Sequence, residues 1–158
     1  MAEQVLLTVG NREWQASLVS TPWELSRGLG GIAELPQNTG MLFDVGIEWY
    51  IQVTTEPMLF SIDIAFLSDE LVVTELYPSV APGHLVVSVN PARYFLEVNA
   101  GELSGTEPGD MVSVSYLSTE QAPLVIDSEL ISIMTLTGFL VIGGFVAVLT
   151  KDFVSGTG

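Results

Sequence analysis

The sequence predicts an α+β fold that is mostly β. Its parts are a compact barrel-like domain with one or two short helices and a C-terminal transmembrane α-helix. Three observations predict it. Short apolar runs, several alternating with period two, recur through residues 1–117 between Gly, Pro, Asn and Asp turn residues. One proline-initiated segment near residue 21 has the start signals of a helix. The run LISIMTLTGFLVIGGFVAVLT, Leu130 to Thr150, has no charged side chain. At about 1.5 Å of rise per residue it is long enough to cross the hydrocarbon part of a bilayer.

Val5 to Val9 and Trp14 to Val19 flank Gly10-Asn11-Arg12 and read as a hairpin. Trp14, Ala16 and Leu18 alternate with Gln15 and Ser17, as a half-buried strand requires. Thr21-Pro22-Trp23-Glu24 then starts a helix of about two turns: Thr21 caps, Pro22 fits the first position and Glu24 completes a capping box. Gly28, Gly30 and Gly31 stop it. Gly40 to Val45 and Ile47 to Thr54 are strand-like, with Pro57 at the border. Ser61 to Leu67 and Leu71 to Tyr77 flank Ser68-Asp69-Glu70 and form the clearest hairpin. Leu85 to Val89, Tyr94 to Val98 and Met111 to Leu117 supply the last strands, with Gly101 to Pro108 irregular. Residues 1–117 thus form the domain, 118–129 a connector, 130–150 the span and 151–158 a short tail.

The chain has 158 residues and a formal net charge of -15. Three of its four basic residues, Arg12, Arg27 and Arg93, lie in the domain. Such a surface repels nucleic acid and anionic headgroups, so no nucleic-acid partner is expected. An acid excess with almost no lysine suits a halophilic setting, where salt screens the self-repulsion. The alternative is an ordinary acidic protein whose surface favours solubility. With no cysteine, disulfides and thiolate chemistry are excluded. The first residues, MAEQVLLTVG, read as a strand rather than a leader.

Residues from Thr21 to Asp110 carry a family resemblance. Arg27-Gly28-Leu29 is followed by Gly40-Met41-Leu42-Phe43, then Asp63-Ile64-Ala65-Phe66 and Val72-Val73. Pro91-Ala92-Arg93-Tyr94-Phe95-Leu96-Glu97-Val98-Asn99-Ala100-Gly101 comes next, and Gly109-Asp110 closes the series. In this order the pieces resemble the DUF192, or UPF0127, family of small uncharacterised proteins. The resemblance implies a compact barrel-like α+β fold and brings no biochemical activity with it. Family members commonly have Phe-Trp-Met-Lys-Asn-Thr before Pro-Leu-Asp-Ile. Here the stretch reads Val53-Thr54-Thr55-Glu56-Pro57-Met58, then Ser61-Ile62-Asp63-Ile64. Glu56 reverses the charge of the family lysine, which puts any anion site built on it in doubt.

The polar cluster to watch is Asp63, Arg93, Arg27 and Glu56. Asp63 sits in the apolar run Ile62-Asp63-Ile64-Ala65-Phe66, and a carboxylate there needs hydrogen bonds or a partner charge. It either links to an arginine or backbone to fix loops, or serves as an acid in a small cleft with Glu56 nearby. His84, the lone histidine, reads as a loop residue. No catalytic residue, metal ligand set or cofactor is expected; acidic clusters lack the spacing of a calcium loop. In the tail, Gly138, Gly143 and Ala147 offer small residues for helix packing.

The leading functional expectation is a membrane-anchored structural or protein-interaction module, non-catalytic and single-pass. Its partners are the lipid bilayer and other protein subunits, reached through the span or the acidic surface. One alternative is a membrane- or capsid-associated structural protein of a halophilic virus, placed at a cell membrane or a virion internal membrane. Another is a small-ligand-binding or enzymatic DUF192-like domain.

Overall fold

The computed structural model describes residues 2–117, 140–142 and 145–147. The chain divides into two units, Met1–Ser118 and Thr119–Gly158.

In the first unit, β1 (Glu3–Val9) and β2 (Arg12–Val19) form the expected hairpin, with Gly10 at φ +58° in its turn. Helix α1 (Pro22–Arg27) follows. The Thr21 hydroxyl accepts from the Glu24 N–H, and the Glu24 carboxylate accepts from the Thr21 N–H, so the capping box is complete. Gly28, at φ +48°, ends the helix with its N–H on the Glu24 carbonyl. Next come β3 (Thr39–Trp49), β4 (Gln52–Thr54), β5 (Ile62–Leu67), β6 (Val73–Val80), β7 (Leu85–Val87), β8 (Ala92–Asn99) and β9 (Ser113–Tyr116).

Seven strands form one sheet in the order β6-β5-β8-β3-β2-β1-β9; β2 and β3 run parallel and the other neighbours antiparallel. Strands β4 and β7 form a separate antiparallel ribbon. The alternation of side chains on the central strands explains two apolar clusters, one on each face. All six residues of β5 are buried: Ile62, Ile64 and Phe66 join one cluster, and Ala65 and Leu67 the other. On β8, Phe95 shares the first face, and Leu96 and Val98 the second. Phe43 and Phe95, directly opposite in register, stack at 4.1 Å between centroids. Each fully buried side chain of this size contributes about 1.5–3 kcal/mol relative to exposure.

The expected barrel closure is corrected. The sheet is open, with β6 and β9 as its two edges. The chain near those edges meets only through an isolated bridge, Val72 to Met111, and its flanking hydrogen bonds. Strand β9 has just four residues, paired with β1 along one edge, and among the described residues no ladder to β6 forms along its other edge. Strand β3 is also longer than expected. It runs through Gly46, at φ +85°, and its register against β8 shifts between Asp44 and Trp49.

The second unit is described as two strands, β10 (Leu140–Ile142) and β11 (Phe145–Ala147), paired antiparallel with Ile142 opposite Phe145. These six residues lie inside the run expected to be a transmembrane helix, most of which lies outside the described residues. Their β-branched and aromatic side chains favour strands, and Gly143-Gly144 in the sequence between them is a hairpin-turn signal. Ala147 therefore lies on a strand, whereas Gly138 and Gly143 lie outside the described residues. So do the connector from residue 118 and the rest of the expected span. Among the described residues no helix is long and apolar enough to cross a membrane.

Candidate functional site

The strand geometry separates the four residues expected to cluster. Asp63 is 1% exposed. One carboxylate oxygen accepts from the Ser79 N–H at 2.8 Å; the other accepts from the Gly101 and Leu103 N–H groups at 2.9 Å each. Of the two links open to it, the structure has the one to backbone. It ties β6 to the turn after β8, beside a cavity of about 250 Å³. Val98 lies opposite Asp63, and Arg93 is five positions away along β8, about 17 Å at strand rise.

Arg93 instead grips Asp44 of β3 with two bonds, Nε to Oδ1 at 3.0 Å and Nη2 to Oδ2 at 3.1 Å. Its guanidinium also lies 5.0 Å from the centroid of the Tyr94 ring. Burial pushes the Asp44 carboxyl up, but the bond from Arg93 and the Gly46 N–H outweigh it, and the net shift is downward. Glu56 is exposed, its N–H donating to the Thr54 hydroxyl. His84 is exposed, with its ring Nδ1 near the Ala81 and Pro82 carbonyls.

A buried acid absent from the expected cluster forms a different site. Glu97 on β8 is 5% exposed and makes no hydrogen bond with any described residue through its carboxyl. Its flanking positions are Met41 on β3 and Ile64 on β5, neither able to bond it. Burial pushes its carboxyl up to about 8. Glu97 lines a cleft of about 260 Å³ with the end of α1, strand β4, Met58 and the stacked Phe43 and Phe95. No side-chain polar atom among the described residues is both sealed from solvent and unpartnered, so the carboxyl opens onto this cleft.

Local sequence builds the cleft wall by wall. The capping box starts α1 and Gly28 ends it after six residues, which leaves Arg27 to Gly30 lining the cleft. Gly30 packs so closely that a Cβ there would lie 3.0 Å from the Arg27 carbonyl and 3.1 Å from Pro57. Alternation along β8 puts Phe95 and Glu97 on the same face, away from Asp63's cluster. The two buried carboxylates therefore lie on opposite faces of the sheet and cannot act as a pair. Arg27 is exposed and is the one cation among the described residues on the cleft. The arrangement offers one desolvated acid, an aromatic wall, and hydroxyl and amide groups from Ser26, Thr54 and Gln52. Among the described residues no group of three or more His, Cys, Asp or Glu could hold a metal ion.

The signal for Glu97 was present in the sequence. A lone acid in Tyr94-Phe95-Leu96-Glu97-Val98 has the same form as Asp63 in its own apolar run. What the sequence does not reveal is which of the two acids finds backbone donors.

The family model DUF192, described as "Uncharacterized ACR, COG1430", matches residues 5–114. The chain belongs to that family. No curated protein matches it. Two solved structures share its fold. One is described as a putative transcription regulator from Sinorhizobium meliloti 1021; it is 24% identical, with a TM-score of 0.66 over 72% of this chain and 94% of that one. The other is a protein of unknown function from Novosphingobium aromaticivorans, also 24% identical, with a TM-score of 0.65 over 70% of this chain and 83% of that one. At this identity the likeness establishes the fold alone.

These findings correct three expectations. The exclusion of nucleic acid rested on net charge alone, and a protein of this fold carries a regulator's description, so the exclusion is withdrawn. Neither similar structure is described as a virion or halophile protein, and those two readings are withdrawn as well.

Proposed function

We propose that this member of the DUF192 family is a small-ligand-binding domain whose site is the Glu97 cleft, with a binding rather than a catalytic role. The observation that carries this reading is the buried Glu97 carboxyl, which has no partner among the described residues and opens onto a concave space lined by both apolar and polar groups. Burying an unpaired acid costs stability, and an occupant that bonds it recovers part of that cost. Concave apolar space with a few convergent polar groups is the usual form of a small-molecule site. The test is a fragment screen of the full chain followed by amide NMR. Shifts clustered on Gly28, Gly30, Thr54 and Phe95 are expected. Shifts confined to the opposite face, at Gly101 to Thr106, would contradict the reading.

A second reading, a protein-interaction module, is favoured by the ribbon of β4 and β7. Leu85 and Val87 are exposed on β7, Val89 is exposed just after it, and Trp49 and Tyr50 are exposed in the chain leading into β4. Replacing Val87 and Val89 with Ser should abolish any self-association seen by sedimentation. Membrane anchoring through residues 130–150 is a further proposal, resting on the composition of that run. Flotation of the full chain with liposomes, compared with a chain ending at Ser118, tests it.

A further inference from the structure

We infer that the occupant of the Glu97 cleft is a small organic cation, a primary ammonium carrying a compact apolar body. The inference rests on the ligand-binding reading above and adds the chemical class.

Among the described residues none supplies the charge that Glu97 lacks. Of the three arginines in the domain, Arg93 is held by Asp44 and Arg12 donates to the Glu102 carbonyl. Arg27 lies on the cleft but is exposed to solvent. It is the one other titratable group on the walls. Strand β3 brings Met41 and β5 brings Ile64 beside Glu97; β4 brings Gln52, Val53 and Thr54. An ammonium group would give the carboxylate charge-assisted bonds in a desolvated place, where they are strongest. Phe43 and Phe95, stacked on each other, line the cleft and give an apolar body a surface to pack on. The net charge of -15 raises the local concentration of cations further. A cleft of about 260 Å³ suits a ligand of only a few carbon atoms.

The proton balance follows from the burial of Glu97. Its carboxyl, pushed up to about 8, is largely protonated at neutral pH. Binding R–NH₃⁺ therefore ionises the acid: the carboxyl O–H bond breaks, the proton passes to solvent, and the carboxylate pairs with the ammonium. Affinity must rise as pH rises toward the pKa of free Glu97. With the folded value near 8, the apparent association constant should increase about 50-fold between pH 6 and pH 8.

The probe is n-butylammonium, with butyrate and n-butanol as shape-matched comparisons, titrated into the full chain by calorimetry. Repeating the titration in buffers of different ionisation enthalpy counts the protons. The expected result is butylammonium binding with close to one proton released at pH 6.5, and loss of that release in Glu97→Gln. If butanol or butyrate binds as tightly without proton release, the cation class is overturned while the cleft stands as a ligand site. If butylammonium does not bind at millimolar concentration at pH 8, the inference is overturned, and the fragment screen alone decides the broader reading. If Glu97→Gln binds butylammonium with the wild-type pH profile, Glu97 is not the partner.

Discussion

Replacing Glu97 with Gln should remove a pH dependence of stability that the wild-type chain shows between about 4.5 and 8. The sign follows from the direction of the shift. Burial raises the folded-state value from 4.5 to about 8, so the folded protein holds this proton more tightly than the unfolded chain. Below the unfolded value both states are protonated and the contribution is fully present. As pH rises, the unfolded chain gives up its proton first, and stability falls by about 1.4 kcal/mol per unit until the folded form also ionises. Over three and a half units this comes to about 5 kcal/mol, less whatever water entering the cleft recovers. For a domain of this size that is on the order of 15–20 °C in Tm. Gln has nearly the same shape and no proton to lose. Urea unfolding of both proteins, followed by the fluorescence of the buried Trp14, should give stabilities that diverge from about pH 5 to about pH 8 and run parallel above it. The variant should be the more stable at the alkaline end. Curves that stay parallel across that range would refute the reasoning, because Glu97 would then have the same pKa folded and unfolded.

Three other outcomes follow from the same geometry. Asp63→Asn leaves one acceptor oxygen where three backbone N–H groups converge, and it should cost about 2–4 kcal/mol in urea unfolding, with faster hydrogen exchange at Gly101 and Leu103. Arg93→Ala removes a partly exposed pair and should lower stability only slightly, an effect reduced by salt. The same change should raise the NMR titration midpoint of Asp44, whose contribution is present above the unfolded value of 3.8 and lost as pH falls through the depressed folded one. Gly40→Ala would set a methyl 2.8 Å from the Glu97 carbonyl and 2.9 Å from Val98, so β3 and β8 must separate; a loss of at least about 2 kcal/mol is expected in thermal unfolding.

Local rules made much of the fold legible. Gly10-Asn11 marked the first hairpin, Thr21 to Glu24 the helix start, and Ser68 to Glu70 the second hairpin, because each is decided by neighbours in sequence. Long-range pairing was not legible. Nothing local says that β8 lies between β3 and β5, or that β7 leaves the main sheet to pair with β4. Barrel closure failed for the same reason, since it depends on whether the distant edge strands β6 and β9 meet. Composition alone suggested a helix through Leu140 to Ala147, where the β-branched residues and the Gly143-Gly144 pair also fit a hairpin. At the site, apolar context flagged Asp63, and that acid turned out to be satisfied by backbone. Glu97 has the same context and the opposite outcome, because the loop that turns its N–H groups toward Asp63 lies on the other face of the sheet.

The most direct measurement is a ¹³C NMR titration of the Glu97 side-chain carboxyl in the folded chain, run without ligand and with saturating n-butylammonium. The account predicts a midpoint near 8 in the free protein and a clear fall when the cation binds. A midpoint near 4.5 in the free protein, unmoved by butylammonium, would contradict both the unpaired buried acid and the cation site built on it.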